Sequence, residues 1–270
     1  MTTIKTVLNI ISNSFLSKYI FQFKINKKYD IIKKRERRLM EENNKPIVYL
    51  ISRPENMLKT IYTAARTCYS ADMPINIYNG ADDEEKMLKL IERVVGSGHY
   101  SVIEHIQVTF AISNVSRACT HQLVRHRHMS FSQKSQRYVK EKGQFDYLIP
   151  PTIAKDEALK KKFVDFMGEI SQKYNEFIEA GIPAEDARAV LPNAAATSIV
   201  ASLNLRELIH IANLRLCTRA QTEIRMMVKA MCDELIKVEP WLKPYLVPKC
   251  ERLGFCDEDK SCGRMKKLEQ

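Results

Sequence analysis

The stretch His105–Ile112, HIQVTFAI, decides the kind of fold this chain adopts. Ile106, Val108, Phe110 and Ile112 alternate with polar or small residues, the period of a strand with one buried face. Two other segments read the same way, PIVYLIS at 46–52 and ATSIVASLN at 196–204. Between them the apolar spacing turns helical, as in ENMLKTIYTAARTCY at 55–69 and DDEEKMLKLIERVVGSG at 82–98. The second of these predicts Asp82 as its cap and Gly96 and Gly98 as its close. Strands interleaved with helices give an α/β chain.

Outward from that core the reading continues with a helix over 115–126, a polar loop over 127–135 and a strand near 136–141. A long helix over 155–180 ends at GIP, 181–183, and AEDARAVLP forms a short helix stopped by Pro192. Helices over 204–217 and 218–238 precede a tail punctuated by proline and cysteine. Three segments follow: a basic extension over 1–39, a body over 40–248, and a cysteine-containing tail over 249–270. The extension reads as disordered or loosely helical, or as an upstream start with Met40 the functional beginning. A secretory signal would need a longer apolar centre and a small-residue cleavage site.

Composition narrows the function classes. Of the net charge of +11, residues 1–39 carry +8, from ten Lys/Arg against Asp30 and Glu36, which leaves +3 for residues 40–270. So balanced a body does not call for a broad nucleic-acid face. There is no run of eighteen apolar residues and no G-x-G-x-x-G. Seven cysteines, an odd number with four in predicted helices, fit a reduced, cytoplasmic setting better than a disulfide framework. Cys250, Cys256 and Cys262 lack a local fourth ligand, so no metal is expected from their spacing. The 11 methionines are scattered and read as core filler.

The chemistry concentrates in RHRHMSFSQKSQRY, Arg125–Tyr138. Adjacent cationic groups repel unless an anion lies among them. Two or three guanidiniums with serine donors suit a phosphate, through bidentate forks and charge-assisted hydrogen bonds. A solvated basic loop is the plain alternative, and His105 and His121 read equally well as ordinary strand and helix residues.

The run Arg125-His126-Arg127, followed after seven residues by Ser135-Gln136-Arg137-Tyr138, resembles the signature of the flavin-dependent thymidylate synthases. AARTCYS (64–70), GHYSVIEH (98–105), ARAVLP (187–192) and NLRELIHIANLRLCTRAQTEIR (204–225) resemble other segments of that family, in the same order. The resemblance runs from about Pro46 to Leu246. It implies a mainly antiparallel sheet flanked by helices with a long helical second half. It also implies a homotetramer that makes dTMP from dUMP, with methylenetetrahydrofolate as carbon donor and a hydride from FAD that NADPH has reduced.

Carried over residue by residue, the resemblance implies a dUMP site of Gln122, Arg125, Gln133, Lys134, Ser135, Gln136, Arg137, Arg188 and Arg215. Arg215 is implied as the catalytic residue, binding the uracil as its N3 ionises. FAD contacts are implied for Cys68, His99, Ser101, Glu104, Arg125, His126, Arg127, His128, Gln133, Asn204, Arg206 and His210. Ser135 has no adjacent base, so phosphate binding suits it better than nucleophilic attack. This chain departs from the family at Ser132 and Gln133, where relatives often have Asn and Glu, and at Arg219, where they often have His.

One expectation comes from geometry alone. On the helix over 204–217, Arg206, His210 and Asn213 share a face, while Arg215 lies about half a turn round. Polar groups on opposite faces point to sites built between subunits. Two rival readings are a nucleic-acid-binding protein using the basic extension and the Arg/His loop, and a catalytically silent relative.

Overall fold

The structure, a computed structural model, describes residues 45–141 and 143–267; the basic extension lies outside them. Four strands form one sheet in the order β1-β2-β4-β3, from β1 (Ile47–Ser52), β2 (Gln107–Ser116), β3 (Met129–Gln133) and β4 (Ala196–Asn204). Every pairing is antiparallel. The α/β expectation and the mainly antiparallel sheet both hold.

β2 is the centre of the sheet, as its alternation suggests: Val108, Phe110 and Ile112 are buried. It runs past the expected end at Ile112 because a bulge between Ile112 and Val115 absorbs one extra residue, Ser113 and Asn114 together opposing Ser198. Asn114 takes a positive φ of 55° there, and its side-chain amide donates to the Lys45 carbonyl at 2.8 Å. Asparagine is among the few side-chain-bearing residues that tolerate this region.

The helices are α1 (Met57–Thr67), α2 (Pro74–Asn79), α3 (Glu84–Gly96), α4 (Arg117–Leu123), α5 (Pro151–Ala154), α6 (Glu157–Glu179), α7 (Ala184–Ala187), α8 (Leu205–Arg215), α9 (Thr222–Val238) and α10 (Lys249–Leu253). Leu208 and Ile211 of α8 and Met227 and Met231 of α9 join Phe110, Ile112, Ala201 and Leu203 of the sheet in one core. On the opposite face of the sheet, Tyr49, Ala111 and Val200 lie in one cross-strand row, with Tyr49 62% and Val200 38% exposed.

The structure corrects four local expectations. Asp83 rather than Asp82 caps α3, accepting from the Lys86 amide at 3.0 Å. The polar loop expected over 127–135 contains β3, and the strand expected at 136–141 is turn. β3 pairs only with β4, and its inward face is just Met129 and Phe131, too short a period-two pattern to stand out from the polar run around it. α2 was not foreseen; none of its residues is buried, so it has no apolar stripe to read. Finally, α4 stops at Leu123, which leaves Arg125 beyond the helix expected over 115–126.

Candidate active site

The site residues fall into three groups, and α4 with the segment after it connects the first two. Ser116 caps α4, accepting from the Cys119 amide at 3.0 Å. Glu223 of α9 fixes that cap in turn, accepting from the Ser116 amide at 2.6 Å and its hydroxyl at 2.7 Å. Both ends of α4 are thereby held against the second half of the chain, with Gln122 donating to Gln221 at 3.3 Å.

The first group lies at the start of α4 and around the turn after β3. Arg117 donates to the Lys134 carbonyl at 3.5 Å. Its pKa is lowered by burial and then by the nearby charge of Arg188. Arg188 Nε donates to the Glu185 carbonyl at 3.1 Å. Lys134 pairs with Glu141 at 2.5 Å. Arg137 makes a two-pronged pair with Glu185, at 2.9 Å from Nε and 2.8 Å from Nη2. The Ser135 hydroxyl accepts from the Arg137 amide at 3.2 Å, which shapes the turn. Gln136 is half-buried in that turn. Gln133 donates to the hydroxyls of Thr120 at 3.0 Å and Thr197 at 3.3 Å.

The second group is built on His126, which is 7% exposed. Arg215 Nε donates to His126 Nε2 at 3.1 Å, so that nitrogen is unprotonated and the ring proton sits on Nδ1. Nδ1 faces Glu207 Oε1 at 3.6 Å, and the His210 ring lies edge-on with centroids 6.2 Å apart. Burial, then Arg215, then His210 pull the His126 pKa down to about 4. The approach to Glu207 is therefore made by a neutral imidazole at neutral pH and is not an ion pair. Arg125, Arg127 and His128 beside it are exposed, with no carboxylate partner among the described residues.

The third group lines an open cleft of about 310 Å³ formed by Tyr100, α8 and α10. Arg206, His210 and Asn213 all line it, as their shared helix face predicts, whereas Arg215 reaches His126 instead. Arg206 pairs with Glu104 and stands 5.8 Å over the Tyr100 ring. Arg252 of α10 bridges the cleft wall, donating to Asn213 at 2.9 Å and to the Tyr100 hydroxyl at 2.6 Å. His99 and Ser101 are exposed at the turn carrying Tyr100. Asn204 caps α8 by accepting from the Glu207 amide at 2.8 Å. Cys68 follows α1, exposed, its thiol 3.8 Å from the Ala64 carbonyl.

Three features escaped the sequence reading. Arg117, Glu185 and Arg252 belong to these groups, yet each is an ordinary helix residue with no motif around it. Several of the cations that seemed to need a ligand have carboxylates of the chain itself: Arg137 has Glu185, Arg206 has Glu104 and Lys134 has Glu141. The buried thiols are unsuited to attack, because burial pushes Cys119 far up and Cys232 up to about 12.

The family described as thymidylate synthase complementing protein matches residues 49–241. The chain is 44% identical to the flavin-dependent thymidylate synthase of Nitratidesulfovibrio vulgaris, over 81% of this chain and 95% of the relative. It is 41% identical to that of Clostridium tetani, over 82% and 96%. Among solved structures, a UMP/dUMP methylase from Streptomyces cacaoi bound with 5-Br dUMP superposes with a TM-score of 0.65 at 21% identity, over 73% of this chain and 94% of that one. That likeness is one of fold.

Proposed function

The chain belongs to the flavin-dependent thymidylate synthase family, and from that premise we propose how its residues divide the reaction. The protein is a flavin-dependent methyltransferase that forms dTMP. In our reading the carbon donor is methylenetetrahydrofolate, the reductant is NADPH and the flavin is FAD.

The dUMP phosphate is assigned to the first group, where Arg117 and Arg188 oppose each other and Arg137 and Ser135 complete the donors. Arg117 enlarges the set that the resemblance supplies. A doubly charged phosphate would relieve the Arg117–Arg188 opposition and compete with Glu185 for Arg137.

FAD is assigned to the exposed Arg125, Arg127 and His128 and to the cleft lined by Arg206 and His210. The residues fit such a group: unpaired guanidiniums suit a pyrophosphate, and a cleft with an aromatic wall suits a flat ring. The flavin, when bound, supplies the hydride chemistry. The chain's own task is position and charge. Arg215, fixed through His126, holds a positive charge where the uracil's negative charge develops, at little cost in reorganisation.

Arg206 and Arg215 leave α8 on different sides, and the sheet exposes Tyr49 and Val200 in one row. Both features favour sites completed by a second subunit of a homotetramer. The observation that carries the reading is the Arg215–His126 bond, which joins the Arg-His-Arg run to α8. The test is to purify the protein, record flavin absorbance, and follow its bleaching by NADPH and dTMP formation. Colourless protein that makes no dTMP with added FAD contradicts it.

A further inference from the structure

Four of the seven cysteines, Cys217, Cys250, Cys256 and Cys262, line one small cavity of about 40 Å³ at the end of the chain. Local spacing offers three cysteines without a fourth ligand; the fold supplies Cys217, from the turn that follows α8. All four face this one cavity, together with Asn213 and Leu214 of α8.

The surrounding tail is built as though to hold this cluster. Between Lys249 and Lys267 the one buried residue is Cys256, so the segment is not organised around an apolar core. It is organised by polar ties: the Cys256 amide donates to the Lys266 carbonyl at 2.8 Å, Lys249 pairs with Asp257, and Arg219 pairs with Glu258. Gly254, at a φ of 80°, ends α10 and turns the chain from Cys250 toward Cys256.

We propose that Cys217, Cys250, Cys256 and Cys262 are the ligands of a structural zinc ion that fastens the C-terminal segment to the end of α8. An all-sulfur set of four selects a thiophilic, tetrahedral ion over magnesium, calcium or manganese. A cavity of about 40 Å³ takes one ion and is small for an iron–sulfur cluster. Arg219 and Lys249 line the cavity paired with Glu258 and Asp257, which leaves Lys260 as the lining cation that offsets part of the net charge of about −2 of a four-thiolate zinc site. With the side chains as they stand, no group of three or more His, Cys, Asp or Glu among the described residues could hold a metal ion. The proposal therefore requires the four thiols to turn inward about χ1, and only Cys256 of the four is buried. The ion would also stiffen the cleft, because α10 carries both Cys250 and the Arg252 that bonds Asn213 and Tyr100.

The test uses the full-length, tag-free chain expressed in zinc-supplemented medium and passed through a chelating column. Elemental analysis is expected to find about one zinc per chain, and X-ray absorption four sulfurs at about 2.3 Å. Replacing the exposed Cys262 by serine is expected to lower zinc at least about tenfold, with the far-ultraviolet dichroism retained. If that variant fails to fold, the unaltered chain still decides the matter. Zinc-free protein with four native thiols open to titration overturns the proposal, as does iron with sulfide in place of zinc, or zinc held by nitrogen and oxygen. None of these readings depends on flavin or turnover, so they stand apart from the functional assignment.

Discussion

Arg215 and His126, 89 residues apart, meet through a single hydrogen bond of 3.1 Å in which the arginine Nε donates to the imidazole Nε2. A guanidinium donating through Nε keeps its terminal amino groups available for another partner. The bond therefore aims Arg215 without using up the face that recognises an anion or a carbonyl.

Replacing Arg215 by alanine is expected to leave flavin binding intact and to lower kcat about 10²- to 10³-fold, the usual cost of a missing charge-stabilising donor. Stopped-flow flavin spectra with a dTMP assay check both halves. Unchanged turnover would remove Arg215 from the mechanism.

His126 gives a pH signature. Its folded pKa of about 4 lies below the ordinary 6.5, so the unfolded chain binds the extra proton first as pH falls. This stability is complete above about pH 6.5 and is lost between about 6.5 and 4, amounting to roughly 3 kcal/mol at most. The His126→Gln variant is expected to lose less stability than the native chain across that window. Chemical denaturation at pH 7.5 and 4.5 measures the difference; parallel losses would contradict the assigned burial.

Glu185 competes for Arg137 with any phosphate that enters the first group. Glu185→Gln frees the guanidinium and is expected to lower KM for dUMP several-fold with kcat little changed. Arg137→Gln is expected to raise KM about tenfold or more, the worth of one charged hydrogen bond. Steady-state kinetics on the pair of variants, at two salt concentrations, decides whether Arg137 meets the nucleotide.

Asn114 carries the bulge in β2. Asn114→Gly is expected to be tolerated best, whereas Asn114→Val should cost about 2 kcal/mol or more, from the left-handed backbone and the lost bond to the Lys45 carbonyl. Urea melts compare them. Equal stability of the valine variant would mean that the bulge can relax.

Much of this was legible in the sequence for definite reasons. β2 and β4 announce themselves because one face of each is buried, which forces a period of two. Arg206, His210 and Asn213 could be placed on one face by helical spacing alone, and all three line the cleft. What escaped was tertiary in origin. β3 alternates Met129 and Phe131 with Ser130 and Ser132, but over only five residues inside a polar run, and no residue of α2 is fully buried. Arg117, Glu185 and Cys217 acquire their partners only when distant segments meet, and no local spacing encodes that. The cation run suggested ligands everywhere, yet Glu185 and Glu141 already offset Arg137 and Lys134 within it.

The identity of the folate product tests the central claim most directly. If the flavin delivers the hydride, purified protein supplied with dUMP, methylenetetrahydrofolate and NADPH forms dTMP and tetrahydrofolate in equal amounts. Dihydrofolate as the product, or dTMP formation undiminished in protein stripped of flavin, would contradict the account.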